Sequence, residues 1–224
     1  MKNVRSFLLF ACLLATVIAE AQTINWASLS PKQKNILNVN AGAEHGVIYG
    51  FAYAYQLKSK WPLLVNLSYS FPSGNKLTDD FKTKFGAEMR FFKTGSFQFS
   101  GKVQGVFRRF ENSYARLLNF GSDISATAGY YKKKWFAGAE LGFDKAIVTH
   151  FKHTAVYKTN YPEVQDGWFE TSTGGNLYYG FRGGVSFKKQ DIYLRVGKLV
   201  EQDLKTNPLV PFYGEMGINF RLLK

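Results

Sequence analysis

The side chains of this chain that are capable of chemistry are charged residues placed at every second position of several segments. Glu140 and Asp144 are four positions apart, so the two-residue period of a β-strand projects both on one face. Two carboxylates on one face can act as general acid and base, but no nucleophile or substrate pocket accompanies them. We therefore expect these charges to pair with opposite charges, because isolated buried charges are costly.

Histidine provides two further candidate sites. His150 and His153 have the spacing of a metal pair on a helix, yet they fall at a predicted strand end without a clear carboxylate as third ligand. A lipid A deacylase would need a histidine next to a serine and an acid, and His150 or His153 with Ser172 is the available combination, which the spacing does not support. We predict no metal, no cofactor and no enzymatic activity, with a lipid A-modifying barrel enzyme as an alternative.

Strict alternation of apolar and polar residues defines the elements that carry the charges. In the segment 212–222, Phe212, Met216 and Phe220 share one face, whereas Glu215 and Arg221 share the other. The same alternation recurs in 62–71, 80–92, 97–109, 116–131, 135–147, 176–188 and 191–200. Short and long links alternate between these segments, as they do in outer-membrane barrels with short periplasmic turns and long outer loops.

The number of strands depends on the segment 36–57. If both chain ends lie on the periplasmic side, this segment must cross twice, with a turn near His45-Gly46; one long bent strand is the alternative. We predict an all-β fold, an antiparallel up-and-down transmembrane β-barrel of about ten strands, with eight or twelve as alternatives. A soluble sandwich also alternates, but aromatic residues beside the short turns favour a girdle at the membrane interface. These residues are Tyr55, Trp61, Phe91, Phe97, Tyr130, Trp135, Phe187 and Phe220.

The beginning of the chain has the layout of a secretory signal. Lys2 and Arg5 precede the apolar stretch Phe7–Ile18, and Ala19-Glu20-Ala21 then supplies the small-x-small pattern of a cleavage site. We expect cleavage after Ala21 and export to the outer membrane. The predicted division is a signal peptide at 1–21, an N-terminal periplasmic segment at 22–35, which is a tether or a short helix near Ser30-Pro31, and a barrel at 36–224.

With these features the chain resembles the small OmpA/OmpX-like, porin-like outer-membrane barrels of Gram-negative bacteria. The resemblance covers Ile36 to Lys224 and rests on the signal, the alternating strands and the terminal strand Phe212–Leu222. The last strand departs from the common pattern, since it does not end on an aromatic residue: Phe220 is followed by Arg221-Leu222-Leu223-Lys224. The resemblance implies an envelope location and a barrel architecture rather than a particular activity.

The lumen of such a barrel is narrow, so we expect the inward charges to fill it as a salt-bridge network. The predicted function is a non-enzymatic barrel, a structural or accessory subunit of an envelope assembly whose lumen is plugged by charge pairs; a narrow porin-like channel is the alternative. The predicted network consists of Glu88, Arg90, Lys102, Asp123, Glu140, Asp144, Arg182, Arg195, Glu215 and Arg221.

Two surfaces are candidate binding sites. The segment 149–175 is longer than most loops without a function, and its aromatic residues predict a recognition surface for an envelope protein, a glycan or lipopolysaccharide; a lid over the barrel mouth is the alternative. The candidate residues are Tyr157, Tyr161, Trp168 and Phe169. Lysines in the short turns, in a chain of net charge +13, predict a basic ring facing lipid headgroups. Outer-membrane lipids are therefore expected partners, and export argues against nucleic acid.

Overall fold

The computed structural model describes residues 22–43, 46–74, 78–170, 175–205 and 207–222. The predicted signal peptide, His45 of the predicted first turn and Ser172 lie outside these residues. No helix in the described part of the chain is long and apolar enough to cross a bilayer. The elements are β1 (Asn35–Ala43), β2 (Val47–Leu57), β3 (Leu63–Pro72), β4 (Asp80–Thr94), β5 (Phe97–Glu111), β6 (Ala115–Tyr131), β7 (Trp135–His153), α1 (Ala155–Asn160), β8 (Gly167–Glu170), β9 (Gly175–Ser186), β10 (Gln190–Glu201) and β11 (Phe212–Leu222).

Ten of these strands form a closed antiparallel barrel. Strands β1 to β7 pair in sequence, β7 pairs with β9, and β9, β10 and β11 lead back to β1. Strand β8 pairs with Val148–Phe151 of β7, beyond the part of β7 that pairs with β9. The predicted fold is confirmed, and the segment 36–57 is two strands, since Ile36 of β1 pairs with Ala54 of β2. Closure leaves no unpaired edge around the ring.

The apolar face of the strands is on the outside of the barrel. Phe181 is 70% exposed, whereas its neighbour Arg182 is 4% exposed; Phe85 is 61% exposed and Lys84 only 2%. A soluble sandwich would bury the apolar set and expose the charged set. The barrel therefore has the polarity of a membrane barrel, with an apolar exterior and a polar interior.

Two register shifts alter the alternation locally. One lies between Arg90 and Phe92 of β4, and it leaves both Phe91 and Phe92 on the exterior. The other lies between Phe120 and Gly121 of β6, opposite β7. A bulge adds one residue to a strand and so exchanges its inward and outward positions beyond that point.

Two predicted boundaries differ from the structure. The segment 22–34 is not an external tether, and it forms turns rather than a helix at Ser30-Pro31; Thr23 and Asn25 are fully buried in the end of the barrel. At the opposite end, residues 149–153 belong to β7, because this strand stays paired with β6 up to His153. The long connection is therefore shorter than predicted, and α1 and β8 occupy part of it.

Candidate functional site: the barrel lumen

An arginine bound by two glutamates lies inside the wall formed by β7, β9, β10 and β11. Arg195 Nη2 is 2.8 Å from Glu140 Oε1, Arg195 Nε donates to the same oxygen at 2.9 Å, and Arg195 Nη1 is 2.7 Å from Glu215 Oε2. The three side chains are almost fully buried. Hydrogen bonds between ionised partners are shorter and stronger than neutral ones, so this triad ties three strands together.

A second arginine links this triad to the far wall of the barrel. Arg182 on β9 is 3.7 Å from Glu140 and 3.6 Å from Glu88 on β4. Ser100 Oγ donates to Glu88 at 3.1 Å. Lys102 on β5 is buried and interacts electrostatically with Asp123 and Glu88. Charged groups therefore reach across the lumen at its middle.

Further ion pairs lie closer to the end with the long connections. Lys84 Nζ is 2.6 Å from Asp123 Oδ2, and both side chains are buried. Arg108 binds both carboxylate oxygens of Asp144. Lys82 Nζ lies 4.0 Å from Asp144. Lys84 and Arg108 were not in the predicted network, although the same alternation places them on the polar face.

Three inward tyrosines each donate a hydrogen bond to a carboxylate of the lumen, a role that the alternation did not predict. Each phenol donates to one acid of the network. The pairs are Tyr178 with Asp123 at 2.8 Å, Tyr193 with Glu215 at 2.6 Å, and Tyr213 with Glu140 at 2.6 Å. A tyrosine at a polar-face position of a strand was the available signal, since a buried phenol needs a hydrogen-bond partner.

Glycines on neighbouring strands make room for these rings. A Cβ at Gly142 would lie 2.2 Å from Cζ of Tyr178, and a Cβ at Gly217 would lie 2.4 Å from Oη of Tyr193. Both distances are far below van der Waals contact. The rings therefore lie over inward glycines, an arrangement that covers a strand glycine with an aromatic side chain.

The N-terminal segment closes the end of the lumen that carries the short turns. Ile24 and Trp26 are buried in an apolar cluster inside the barrel. The guanidinium of Arg90 lies 5.9 Å from the Trp26 ring centroid and donates to Gln98 at 3.1 Å. Arg90 thus contacts the N-terminal segment 22–34, which we call the plug. The other members of the cluster are Ile36, Ala54, Leu64, Tyr131, Phe136 and Tyr193.

Polar contacts also hold the N-terminal segment. Asn219 Nδ2 donates to the Thr23 carbonyl at 2.6 Å, and Asn25 Nδ2 donates to Ser186 Oγ at 2.7 Å. Arg221 donates to the carbonyl of Ser28, and it lies 3.3 Å from Asp191 Oδ1. Arg221, predicted as part of the lumen network, therefore anchors the plug.

The opposite end of the lumen opens into a cavity of about 320 Å³. Its charged lining consists of Asp80, Lys82, Arg108 and Asp144, accompanied by apolar side chains such as Phe71. The cavity therefore leads from the barrel mouth to the outer layer of ion pairs.

The four aromatic residues of the predicted recognition surface do not form one face. Tyr157 stacks on His153 at a centroid distance of 5.1 Å and packs against Tyr161 at 4.9 Å. Trp168 lies on the exterior, 5.9 Å from Phe120. Phe169, the next residue of β8, packs at 5.7 Å against Phe151. Adjacent residues of a strand point to opposite faces, so β8 separates them.

An aspartate bridges the two ends of this connection. Asp166 Oδ1 accepts the backbone N–H of His153 at 2.9 Å, and Lys158 Nζ donates to Asp166 Oδ2 at 2.6 Å. These hydrogen bonds hold the pKa of Asp166 well below its usual range. His153 Nδ1 is also 2.9 Å from Asp166 Oδ1.

Neither histidine candidate belongs to a group of described side chains that could hold a metal ion. His150 packs against Trp168 at 4.9 Å, and His153 is bound to Asp166. Among the described residues, no three His, Cys, Asp or Glu side chains are grouped so as to hold a metal ion. The serine of the alternative enzymatic combination, Ser172, is outside the described residues.

Comparison with known proteins identifies a similar architecture. No family model matches the chain, and no curated protein matches it. Among solved structures, a KdgM porin in complex with disordered oligogalacturonate is similar, with a TM-score of 0.43 and 9% sequence identity over 84% of this chain and 99% of that chain. Membership of the OmpA/OmpX-like group stays a prediction.

Proposed function

We propose that the chain spans the outer membrane as a porin-like barrel that carries out no chemistry. An almost continuous series of exterior aromatic rings supports this location at the end with the long connections. Successive rings from β2 to β8 lie 5.0 to 6.0 Å apart along the whole series. The series is Tyr49, Phe71, Tyr69, Phe81, Phe107, Phe120 and Trp168.

A second group of exterior aromatic rings lies at the end with the short turns. Phe97 and Phe99 are in contact at 5.0 Å, and Tyr130 and Trp135 at 5.7 Å. Phe97 and Phe107 of β5 are separated by about 33 Å along the strand at ~3.3 Å per residue. A strand tilt of ~40° reduces this to about 25 Å, the height of the apolar band of outer-membrane barrels.

The lumen of this barrel is a narrow polar conduit that is closed in this structure at two levels. The first level is the N-terminal segment, and the second is the layer of ion pairs around Arg195. Glu140 and Asp144, the candidate acid–base pair, are each bound by an arginine, which leaves neither as a free base. A passage for ions or small polar solutes is therefore the function that the geometry supports best.

The closure by a separable segment is the observation that carries this proposal. The segment 22–34 enters the barrel end as a continuation of the chain and is held there by side-chain packing and hydrogen bonds. Because this segment is not a strand of the ring, its release would open this end of the lumen without breaking the pairing of the barrel wall.

Planar-bilayer conductance tests the proposal. A variant that lacks residues 22–30, with the signal peptide retained, and a second variant that combines this deletion with Arg195→Ser remove the two levels in turn. We expect conductance to rise from the full-length protein to the deletion and again to the combined variant. Correct assembly of each variant is checked by heat-modifiable migration in gels.

A permanently closed structural or accessory barrel is the second candidate. The observation that favours it is the ion-pair layer itself, since Arg182 on β9 joins Glu140 on the neighbouring strand β7 to Glu88 on β4, across the lumen. If the combined variant assembles correctly and still passes no current, the lumen is a structural core and the channel proposal is wrong.

A further inference from the structure

A groove lies outside the lumen, between the N-terminal segment and the turns that follow β6 and β9. Its volume is about 1200 Å³. One wall is formed by the segment Ala27–Pro31 with Gln33, and the other by the turn residues Lys133, Lys134 and Lys188. The Gln33 side chain donates to the Lys188 carbonyl at 3.1 Å and so connects the two walls.

The charge of this groove is of one sign. Its lining contains Lys133, Lys134, Lys188 and Arg221 and no carboxylate. Arg221 is already paired with Asp191. The three lysines are exposed, and none of them forms an ion pair with a described carboxylate. Three uncompensated ammonium groups on one groove are complementary to an anionic group such as a phosphate.

The remainder of the lining mixes neutral polar residues with an apolar set, and the apolar set continues onto the outer face of the barrel. Leu29 and Pro31 contribute from the N-terminal segment, and Val185 and Phe187 from the end of β9. Val185 and Phe187 are also exposed on the exterior, where the proposed membrane location places acyl chains. The groove therefore joins a basic site to a lipid-facing surface, which fits an anionic amphiphile better than a soluble anion.

We propose that this groove is a binding site for one anionic phospholipid of the inner leaflet. The phosphate lies among Lys133, Lys134 and Lys188, and an acyl chain lies along Val185 and Phe187. This inference rests on the proposed membrane location and not on conductance, so the lipid test and the channel test can fail independently.

The site gives the bound lipid a second role, because the N-terminal segment forms one of its walls. A lipid that contacts Leu29 on one side and the β9 end on the other adds contacts to the plug that the protein alone does not make. Binding of the lipid therefore stabilises the docked N-terminal segment by mass action, since the lipid favours the form that has both walls in place.

Native mass spectrometry of the mature protein in a neutral detergent tests the site. The probes are phosphatidylglycerol and phosphatidylcholine with the same acyl chains, and glycerol 3-phosphate as a headgroup without chains. We expect one phosphatidylglycerol to be retained per barrel and at least tenfold less of either other probe. The variant Lys133→Gln/Lys134→Gln/Lys188→Gln should lose at least tenfold in retained phosphatidylglycerol.

A matched control separates this groove from the general basic rim. The variant Lys58→Gln/Lys60→Gln/Lys93→Gln removes the same charge from other short turns, which do not line the groove. It should retain phosphatidylglycerol as the unmodified protein does. Equal loss in both variants would assign the binding to diffuse attraction and overturn the proposal. Equal retention of the two lipids, or equal binding of glycerol 3-phosphate, would overturn it as well.

Discussion

Replacement of Arg195 by methionine should be among the most damaging single changes in the lumen. The substitution keeps much of the side-chain volume and removes the charge shared by Glu140 and Glu215. Loss of one member of a buried ion pair costs about 3–5 kcal/mol, because the remaining charge is left buried without compensation. The cost should not double for two glutamates, since Glu140 keeps Arg182 at 3.7 Å and Glu215 keeps the hydrogen bond from Tyr193.

The free energy of unfolding, measured by urea titration of the folded barrel in lipid vesicles, gives this value directly. The neutral combination Glu140→Gln/Arg195→Met/Glu215→Gln should recover most of the loss, because a buried ion pair contributes little beyond a neutral replacement of similar shape. Arg109→Met is the matched control: its pair with Glu111 is partly exposed, and such pairs contribute about 0–1 kcal/mol.

Two results would refute this reasoning. A single variant within about 1 kcal/mol of the unmodified protein would mean that water in the lumen screens the glutamates, because screened charges do not incur the buried-pair cost. A neutral combination as unstable as the single variant would mean that Arg195 acts through its packing rather than its charge.

Three further outcomes follow from the same contacts. Gly142→Val should destabilise the barrel by about 1–3 kcal/mol, because its side chain overlaps the ring of Tyr178; urea titration in vesicles should find no such loss if that ring is free to move. Trp26→Ala should cost about 3–5 kcal/mol, because it removes a buried indole from the apolar cluster. Limited proteolysis should then cleave the N-terminal segment. Continued protection of the segment would mean that its polar contacts are enough to hold it. Asp166→Asn should speed backbone hydrogen exchange between His153 and β8. In the unmodified protein, the pKa of Asp166 is depressed by its hydrogen bonds. Protection of this segment should therefore be present above the ordinary aspartate pKa of about 3.9, and it should be lost as the pH falls through the lower, folded-state pKa. Protection that does not change with acid would contradict the assigned role of this carboxylate.

The alternation of side chains, together with the link lengths and the aromatic residues beside the short turns, was sufficient to predict the barrel. A strand has a period of two, so the sequence already separates Phe181 from Arg182 and Phe85 from Lys84. The direction of the faces was also accessible, because aromatic residues at strand ends indicate an apolar exterior. The link lengths correctly required two crossings before Leu57, which the antiparallel pairing of β1 with β2 confirms.

The alternation did not predict which charged side chains pair with each other inside the lumen. Alternation places Glu88 and Arg182 on the inner face, but whether they meet depends on the circumference and register of a ring that closes between β1 and β11. The sequence likewise did not show that Arg221 binds the N-terminal segment while Arg108 joins Asp144. These pairs join strands far apart in the chain, and local periodicity carries no information on them.

The position of the N-terminal segment could not be predicted from its sequence. Its sequence from Gln22 is mostly polar with one tryptophan, which fits an external tether as well as an inserted plug. Trp26 has a place inside only because Ile36, Leu64 and Phe136 converge at one end of the closed barrel. The sequence by itself therefore determined the wall of this protein, through the two-residue period of its strands, and tertiary closure alone decided what fills that wall.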